Sequence, residues 1–105
     1  MSQTAKGTVS SQGQNRFIAR FVMPNGQVRT YNASVNPPIT NMTINTATLT
    51  WSDDDQLVGA DSYEGTVGTD LNITLGKGPT IKGTLQQPVN PTQAIVGNGD
   101  WAMTM

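Results

Sequence analysis

Six of the seven carboxylate side chains of this chain lie in one segment, WSDDDQLVGADSYEGTVGTD, residues 51–70. Carboxylates this close together can hold a calcium ion, form an acid–base pair or cap strand ends in water. Asp53, Asp55 and Glu64 have the first and last spacings of an EF-hand loop, but Val58 occupies the position that requires glycine. We therefore expect no metal site and interpret the three consecutive aspartates as a solvated turn, with a calcium site assembled from separate loops as the alternative.

The same carboxylates are candidates for glycoside hydrolysis, which uses two of them at a set distance across a cleft. Asp61, Glu64 and Asp70 have the required chemistry, but no spacing fixes such a pair, and 105 residues leave little room for a deep cleft. Histidine and cysteine are both absent. Serine–histidine and cysteine–histidine catalysis are therefore excluded, as are thiolate metal sites and disulfides. We expect a protein that is not an enzyme and has no cofactor.

A stretch with the sequence RFIARF has the residue types that stack on single-stranded nucleic acid and neutralise it. Period-two alternation, however, places Phe17 and Phe21 on one face of a strand and Arg16 and Arg20 on the other. The net charge of −1 adds no general attraction for phosphate backbones. We therefore expect no nucleic-acid partner, and we expect these arginines and Arg29 to meet the acids of the middle segment.

The polar remainder of the sequence, rich in Asn, Thr, Gln and Ser, fits a sugar-binding surface. Protein sites for sugars combine amide and carboxylate hydrogen bonds with an aromatic ring against the apolar face of the sugar. Strand phase points Trp51 into the core, whereas Trp101 follows a predicted turn and is a candidate for that ring. The predicted ligand-binding residues are Asp53, Asp55, Asp61, Asn98, Asp100 and Trp101.

Strands must position these residues, because period-two alternation runs through most of the chain and helical spacing is nearly absent. Residues 17–23 alternate, and the Asn25-Gly26 pair that follows them predicts a type I′ hairpin turn. The next strand is expected from about Gln27 to Val35. Val28 is out of phase with the other apolar residues of that strand, which predicts a bulge near Arg29 and Thr30.

The rest of the chain continues as short strands separated by turns. The apolar phase changes between Ile44 and Ala47, which predicts a bend at a sheet or barrel corner. A second Asn-Gly turn is predicted at Asn98-Gly99. The remaining predicted strand pieces are Leu57–Gly59, Tyr63–Val67, Leu71–Leu75 facing Ile81–Leu85, and Ile95-Val96 facing Trp101–Met103.

A Gly-Thr pair followed by an apolar residue recurs three times at unequal spacing. Its copies are Lys6-Gly7-Thr8-Val9, Glu64-Gly65-Thr66-Val67 and Lys82-Gly83-Thr84-Leu85. Glycine inside a strand lets a bulky neighbour approach the backbone or permits sharp coiling. We interpret the three glycines as packing positions next to the two tryptophans, and not as a structural repeat.

Together these patterns predict one all-β domain, residues 1–105, folded as an antiparallel β-sandwich or a small flattened β-barrel of about eight short strands. We expect a non-catalytic binding module of the carbohydrate-binding, lectin-like kind, with a glycan as partner. The alternatives are a structural, self-assembling β protein and a calycin-like barrel that binds a small apolar ligand.

Two further expectations concern location and assembly. The N-terminal residues lack the apolar core of a signal peptide, and no segment is long enough to span a membrane, so we expect a soluble chain that is cytoplasmic as synthesised. Alternation places Trp101, Met103 and Met105 on one face of the last strand. Because an open, uncharged edge strand invites pairing, we expect a homo-oligomer.

Overall fold

The chain forms a closed antiparallel barrel of eight strands, so the barrel alternative of the predicted fold class is confirmed. The computed structural model describes residues 3–11, 13, 15–24, 26–35, 42–89 and 92–104. The strands are β1 Gln3–Ser11, β2 Arg16–Val22, β3 Val28–Ser34, β4 Thr43–Trp51, β5 Gly59–Val67, β6 Asp70–Leu75, β7 Thr80–Thr84 and β8 Gln93–Thr104. Among the described residues no helix is long and apolar enough to cross a bilayer.

The barrel consists of two Greek keys that join edge to edge. The strand order around the wall is β1-β2-β3-β8-β5-β6-β7-β4. Strands β4-β1-β2-β3 therefore form one key, in which the fourth strand returns to lie beside the first, and β8-β5-β6-β7 form the other. The pairing of β3 with β8 and of β7 with β4 closes the barrel.

Two of the three recurring Gly-Thr units occupy equivalent places in the two keys. Gly7 in β1 pairs with Phe21 of β2, and Gly65 in β5 pairs with Ile73 of β6. A methyl group at either glycine would overlap the carbonyl oxygen of the residue before its partner. The predicted close approach is therefore confirmed, but the neighbour is the backbone of an adjacent strand rather than a tryptophan.

The hairpins that follow these units also match. In the first key, Met23 donates its amide to the carbonyl of Gln27. In the second, Leu75 donates in the same way to Pro79. The β2–β3 hairpin confirms the predicted turn region, with Gly26 at a φ of 88°. Asn25, the other residue of the predicted type I′ pair, lies outside the described residues.

Alternating side chains from all eight strands fill the inside of the barrel. Phe17 and Tyr63 meet edge to face, with ring centroids 5.4 Å apart, and Tyr31 lies 6.2 Å from Tyr63. Burial of such rings supplies much of the apolar stabilisation of a small core. The other fully enclosed large side chains include Phe21, Ile44, Leu49, Leu57, Leu71, Ile73, Leu75, Ile81 and Ile95.

The predicted turn at Asn98-Gly99 is wrong, because this pair lies inside the continuous strand β8. The backbone of β3 and the two tyrosine rings explain why glycine occurs there. A methyl group at Gly97 would overlap the carbonyl oxygen of Ser34, and one at Gly99 would lie 2.6 Å from both the carbonyl oxygen of Asn32 and Cζ of Tyr31. Glycine in β8 thus leaves space for the neighbouring backbone and for rings that cross the strand, and it does not mark a reversal of the chain.

The predicted bulge near Arg29 and Thr30 is also wrong. The pairing of β2 with β3 is regular, and Arg29 is a buried residue on the inner face. Its Nη1 atom donates to the carbonyl of Leu57 at 2.8 Å. Arg29 therefore continues the alternation of β3 that it was expected to interrupt. Its guanidinium can point inward because the carbonyl of Leu57 accepts a hydrogen bond from it.

The phase change in β4 lies at a β-bulge, and the bend predicted there stays a prediction. Opposite β1, the register shifts so that Gly7 pairs with Ala47 but Val9 pairs with Ile44. The extra residue in β4 lets Ile44 and Ala47 both point into the core, where each is fully buried. The predicted strand piece Leu57–Gly59 is wrong in its first half, because a 3-10 helix occupies Asp54–Leu57 and β5 begins at Gly59.

Candidate functional site

The aspartate cluster that follows β4 caps the 3-10 helix. Asp53 is the N-cap residue, and its Oδ1 atom accepts a hydrogen bond from the amide of Asp55 at 3.0 Å. The side chain of Gln56 accepts in return from the amides of Ser52 and Asp53. Among the residues that the structure describes, no group of three or more acidic side chains is placed to hold a metal ion.

Asp61 links β5 to the β6–β7 turn. Its carboxylate is buried and accepts a hydrogen bond from the amide of Lys77 at 3.2 Å. The carbonyl of Lys77 accepts from the side chain of Gln56, and its ammonium donates to the carbonyl of Val58. These contacts join the 3-10 helix, the start of β5 and the turn into one hydrogen-bonded end of the barrel.

The other three predicted site residues lie on opposite faces of β8. Asn98 and Asp100 are exposed on the outer wall, whereas Trp101 is buried and lies 5.0 Å from Tyr31 between ring centroids. The indole Nε1 atom of Trp101 is buried with no hydrogen-bond partner among the described residues. The six predicted ligand-binding residues are thus divided among a capped turn, the barrel interior and the outer wall, and they do not form one surface.

No aromatic ring is available on the outer wall to stack on a sugar. The chain has six aromatic residues, all of them described, and each is buried. Trp101, the predicted stacking ring, is only 8% exposed. A sugar on the outside of this barrel therefore has no aromatic ring to stack on.

The outer wall carries a shallow groove across β1, β4, β7 and β6, with a volume of about 390 Å³. We call it the Lys–Thr groove. Lys6 and Lys82 are the Cα partners of Thr48 from either side, and Asn72 follows as the partner of Lys82. The residues that line the groove are Lys6, Thr46, Thr48, Asp70, Leu71, Asn72, Lys82, Gly83 and Thr84.

The bulge in β4 and the glycine in β7 shape this part of the wall. Gly83 pairs with Ala47 directly after the bulged residues, and a methyl group there would lie 2.6 Å from Cγ2 of Ile44. The close packing of β4 on β7 therefore requires glycine. Thr46 and Thr84 project from the same region into the groove.

A second shallow groove of similar volume lies on the other side of β6. It contains one carboxylate, that of Glu64, and no cation. Its remaining lining residues are Ser62, Tyr63, Thr74, Leu75, Gly76 and Val96. The Lys–Thr groove differs from it in offering ammonium, hydroxyl, amide and carboxylate groups together.

Sequence reasoning missed the Lys–Thr groove, although its residues have a visible pattern. Thr46, Thr48 and Thr50 alternate along β4 and point outward, and Lys82 alternates in the same way with two threonines of β7. The pairing of β1, β4 and β7, which are distant in sequence, brings the two lysines to one strip.

Comparison with protein-family models, with curated proteins and with solved structures finds no match to this chain.

Proposed function

We propose that this protein is a non-catalytic carbohydrate-binding module and that the Lys–Thr groove is its sugar site. The supporting observation is the groove itself, which combines hydroxyl, amide, carboxylate and ammonium groups on a rigid wall of paired strands. Sugar hydroxyls both donate and accept hydrogen bonds. Asp70 can accept from them, Lys82 can donate to them, and Asn72 can do both.

The groove suits a saccharide bound from the side, without deep enclosure. It is open to solvent and is formed on four adjacent strands, which lie about 4.8 Å apart. A pyranose ring is of similar width to one strand spacing, so about three sugar units span the groove. Water-bridged hydrogen bonds complete the contacts in open sites of this kind.

Binding to a panel of immobilised oligosaccharides tests the proposal. Variants with Asn72→Ala or Thr84→Ala should weaken the binding of any sugar that the intact chain retains, by about 1 kcal/mol each, as for a lost neutral hydrogen bond. Asn98→Ala is the matched control, because Asn98 is an equally exposed strand asparagine outside the groove. The proposal would be contradicted if the intact chain bound none of the oligosaccharides, or if Asn72→Ala and Asn98→Ala weakened sugar binding equally.

A second candidate function is self-assembly, which exposed apolar side chains on the barrel favour. Val22 is 59% exposed at the end of β2, and Met103 is 53% exposed near the end of β8. Both lie at the same end of the barrel, since Val22 pairs with Val28 and Val28 with Thr104.

The calycin-like alternative has less support, because aromatic and aliphatic side chains fill the barrel interior.

A further inference from the structure

We infer that the Lys–Thr groove selects anionic saccharides and binds their acid group between Lys6 and Lys82. This inference rests on the proposed sugar-binding function and names the ligand class. The carboxylate of a uronic acid and a sulfate ester share the required chemistry, which is a compact anion on an otherwise hydroxylated ring.

Strand pairing fixes the separation of the two lysines. Lys6 and Lys82 both have Thr48 as a Cα partner, one from β1 and one from β7. Two strand spacings place their Cα atoms roughly 10 Å apart. Because a lysine stem is flexible and its ammonium has three donors, both side chains can reach one anion above Thr48.

The hydroxyl of Thr48 lies in the middle of this arrangement. Lys6 Nζ already donates to Thr48 Oγ1 at 2.7 Å, so this ammonium is held over the groove in the absence of ligand. The same hydroxyl can donate its own proton to an acid group. An anion above β4 would therefore have two ammonium groups and one hydroxyl within reach.

The opposite side of the groove has the complementary chemistry. Asp70 pairs with Thr84, one strand repeat beyond the pairing of Lys82 with Asn72. A carboxylate repels the acid group but accepts hydrogen bonds from neutral hydroxyls. Asp70 is also the diagonal neighbour of Lys82, roughly 7 Å away across β6 and β7, so Lys82 lies between Lys6 and this carboxylate. Repulsion from Asp70 directs the acid group of the sugar to the side of Lys82 that faces Thr48 and Lys6.

Charge also explains how an open groove without a stacking ring could select a ligand. All six aromatic residues are buried, so stacking contributes nothing on the outer wall. Hydrogen bonds from a sugar replace hydrogen bonds to water and give little net affinity. The net charge of the chain is −1, so its preference for anions must come from this local pair of cations and not from the molecule as a whole.

The test compares a galacturonic acid trimer with its neutral methyl ester by isothermal titration calorimetry. The acid should bind about tenfold more tightly than the ester, as expected for two ammonium–carboxylate contacts, and the difference should shrink at higher salt. Lys82→Gln should weaken binding of the acid about two- to fivefold and weaken binding of the ester less, because glutamine keeps an N–H donor for sugar hydroxyls. Arg16→Gln, which removes one exposed cation from the end of β2 that lies far from Lys6, is the matched control and should change neither.

The outcomes separate this inference from the proposed function. Equal affinity for acid and ester would overturn the anionic preference and leave sugar binding intact, whereas no binding of either, or of a sulfated oligosaccharide, would overturn both. Tighter binding of the sulfated oligosaccharide than of the uronate, lost in Lys82→Gln, would identify the sulfate ester as the acid group. Inorganic sulfate that binds as tightly as either sugar, or an equal loss in Arg16→Gln, would contradict a saccharide site.

Discussion

At the scale of single residues, two tyrosine hydroxyls connect strands that do not pair with each other. Tyr31 in β3 donates to the carbonyl of Asp61 in β5, and Tyr63 in β5 donates to the carbonyl of Ser34 in β3, each at 2.7 Å. The two rings cross β8 in opposite directions. The hydroxyl groups are thus hydrogen-bonded inside the wall, which explains how a core of this size accommodates two phenols.

These tyrosines predict a loss of stability in alkali. Burial raises the pKa of Tyr63 to about 12 from 10.0. Burial, together with the charges of Asp61, Tyr63 and Asp100, raises the pKa of Tyr31 above its ordinary range. Because the native state holds these protons more tightly than the unfolded state, the resulting stability is complete below pH 10 and is lost as the pH rises toward 12.

Absorbance at 295 nm and thermal melts between pH 8 and pH 12 check this prediction. The chain has only two tyrosines, so their ionisation is observed directly. We expect it to coincide with unfolding in the intact chain. Tyr63→Phe should lower the free energy of unfolding at pH 7 by about 1 kcal/mol for the lost hydrogen bond and make the alkaline decrease shallower. Ionisation near pH 10 in a still folded barrel would contradict the burial of these hydroxyls.

At the scale of elements, the two Greek keys share a close contact between their first two strands. Gly7 and Gly65 lie at equivalent places, each against the backbone of the following strand. The Glu64-Gly65-Thr66-Val67 unit is therefore a structural counterpart of Lys6-Gly7-Thr8-Val9. The third unit, around Gly83, lies in β7 and has no such relation. Unequal spacing in the sequence concealed this correspondence, because the connections between the strands differ in length.

Adding one methyl group at these positions should destabilise the barrel strongly. Gly7→Ala and Gly65→Ala would each drive Cβ into a backbone carbonyl, and we expect a loss of about 3 kcal/mol, at the upper end for overpacking. Thr66→Ala, on the exposed face of the same strand, is the control and should cost less than about 1 kcal/mol. Urea unfolding midpoints measure the difference. Similar midpoints for Gly65→Ala and Thr66→Ala would show that β5 and β6 do not approach so closely.

Local patterns predicted strands well where side-chain alternation alone decides them. The burial of Phe17 and Phe21 and the phase change in β4 follow from period two, and the hairpin after β2 follows from the Asn25-Gly26 pair. The Asn98-Gly99 pair and Arg29 were misread because tertiary contacts decide them. A ring from another strand requires Gly99, and a carbonyl of the 3-10 helix accepts from Arg29. The Lys–Thr groove could not be predicted for the same reason, because its residues come together only through the order of the strands in the barrel.

At the scale of the whole molecule, closure of the barrel changes the case for self-association. The expectation of an oligomer assumed an open edge at the last strand, but β8 pairs with β3 on one side and with β5 on the other. Among the described residues, only 99–101 of β8 are flanked on both sides, and the rest of the strand is flanked on one, so no full-length edge is open to a second chain. Side chains on the outside are the other route to assembly, and Val22 and Met103 are the most exposed large apolar residues described.

Sedimentation of the intact chain and of two variants tests the assembly proposal. Deleting residues 101–105 should unfold the protein, because it removes buried Trp101 and most of the pairing that closes β3 on β8, at a cost of at least about 3 kcal/mol. The double variant Val22→Ser, Met103→Ser keeps the core and should give a folded monomer if these side chains form the interface. Circular dichroism separates loss of fold from loss of assembly. An intact chain that sediments as an 11.2 kDa monomer at high concentration would rule out self-assembly as the function.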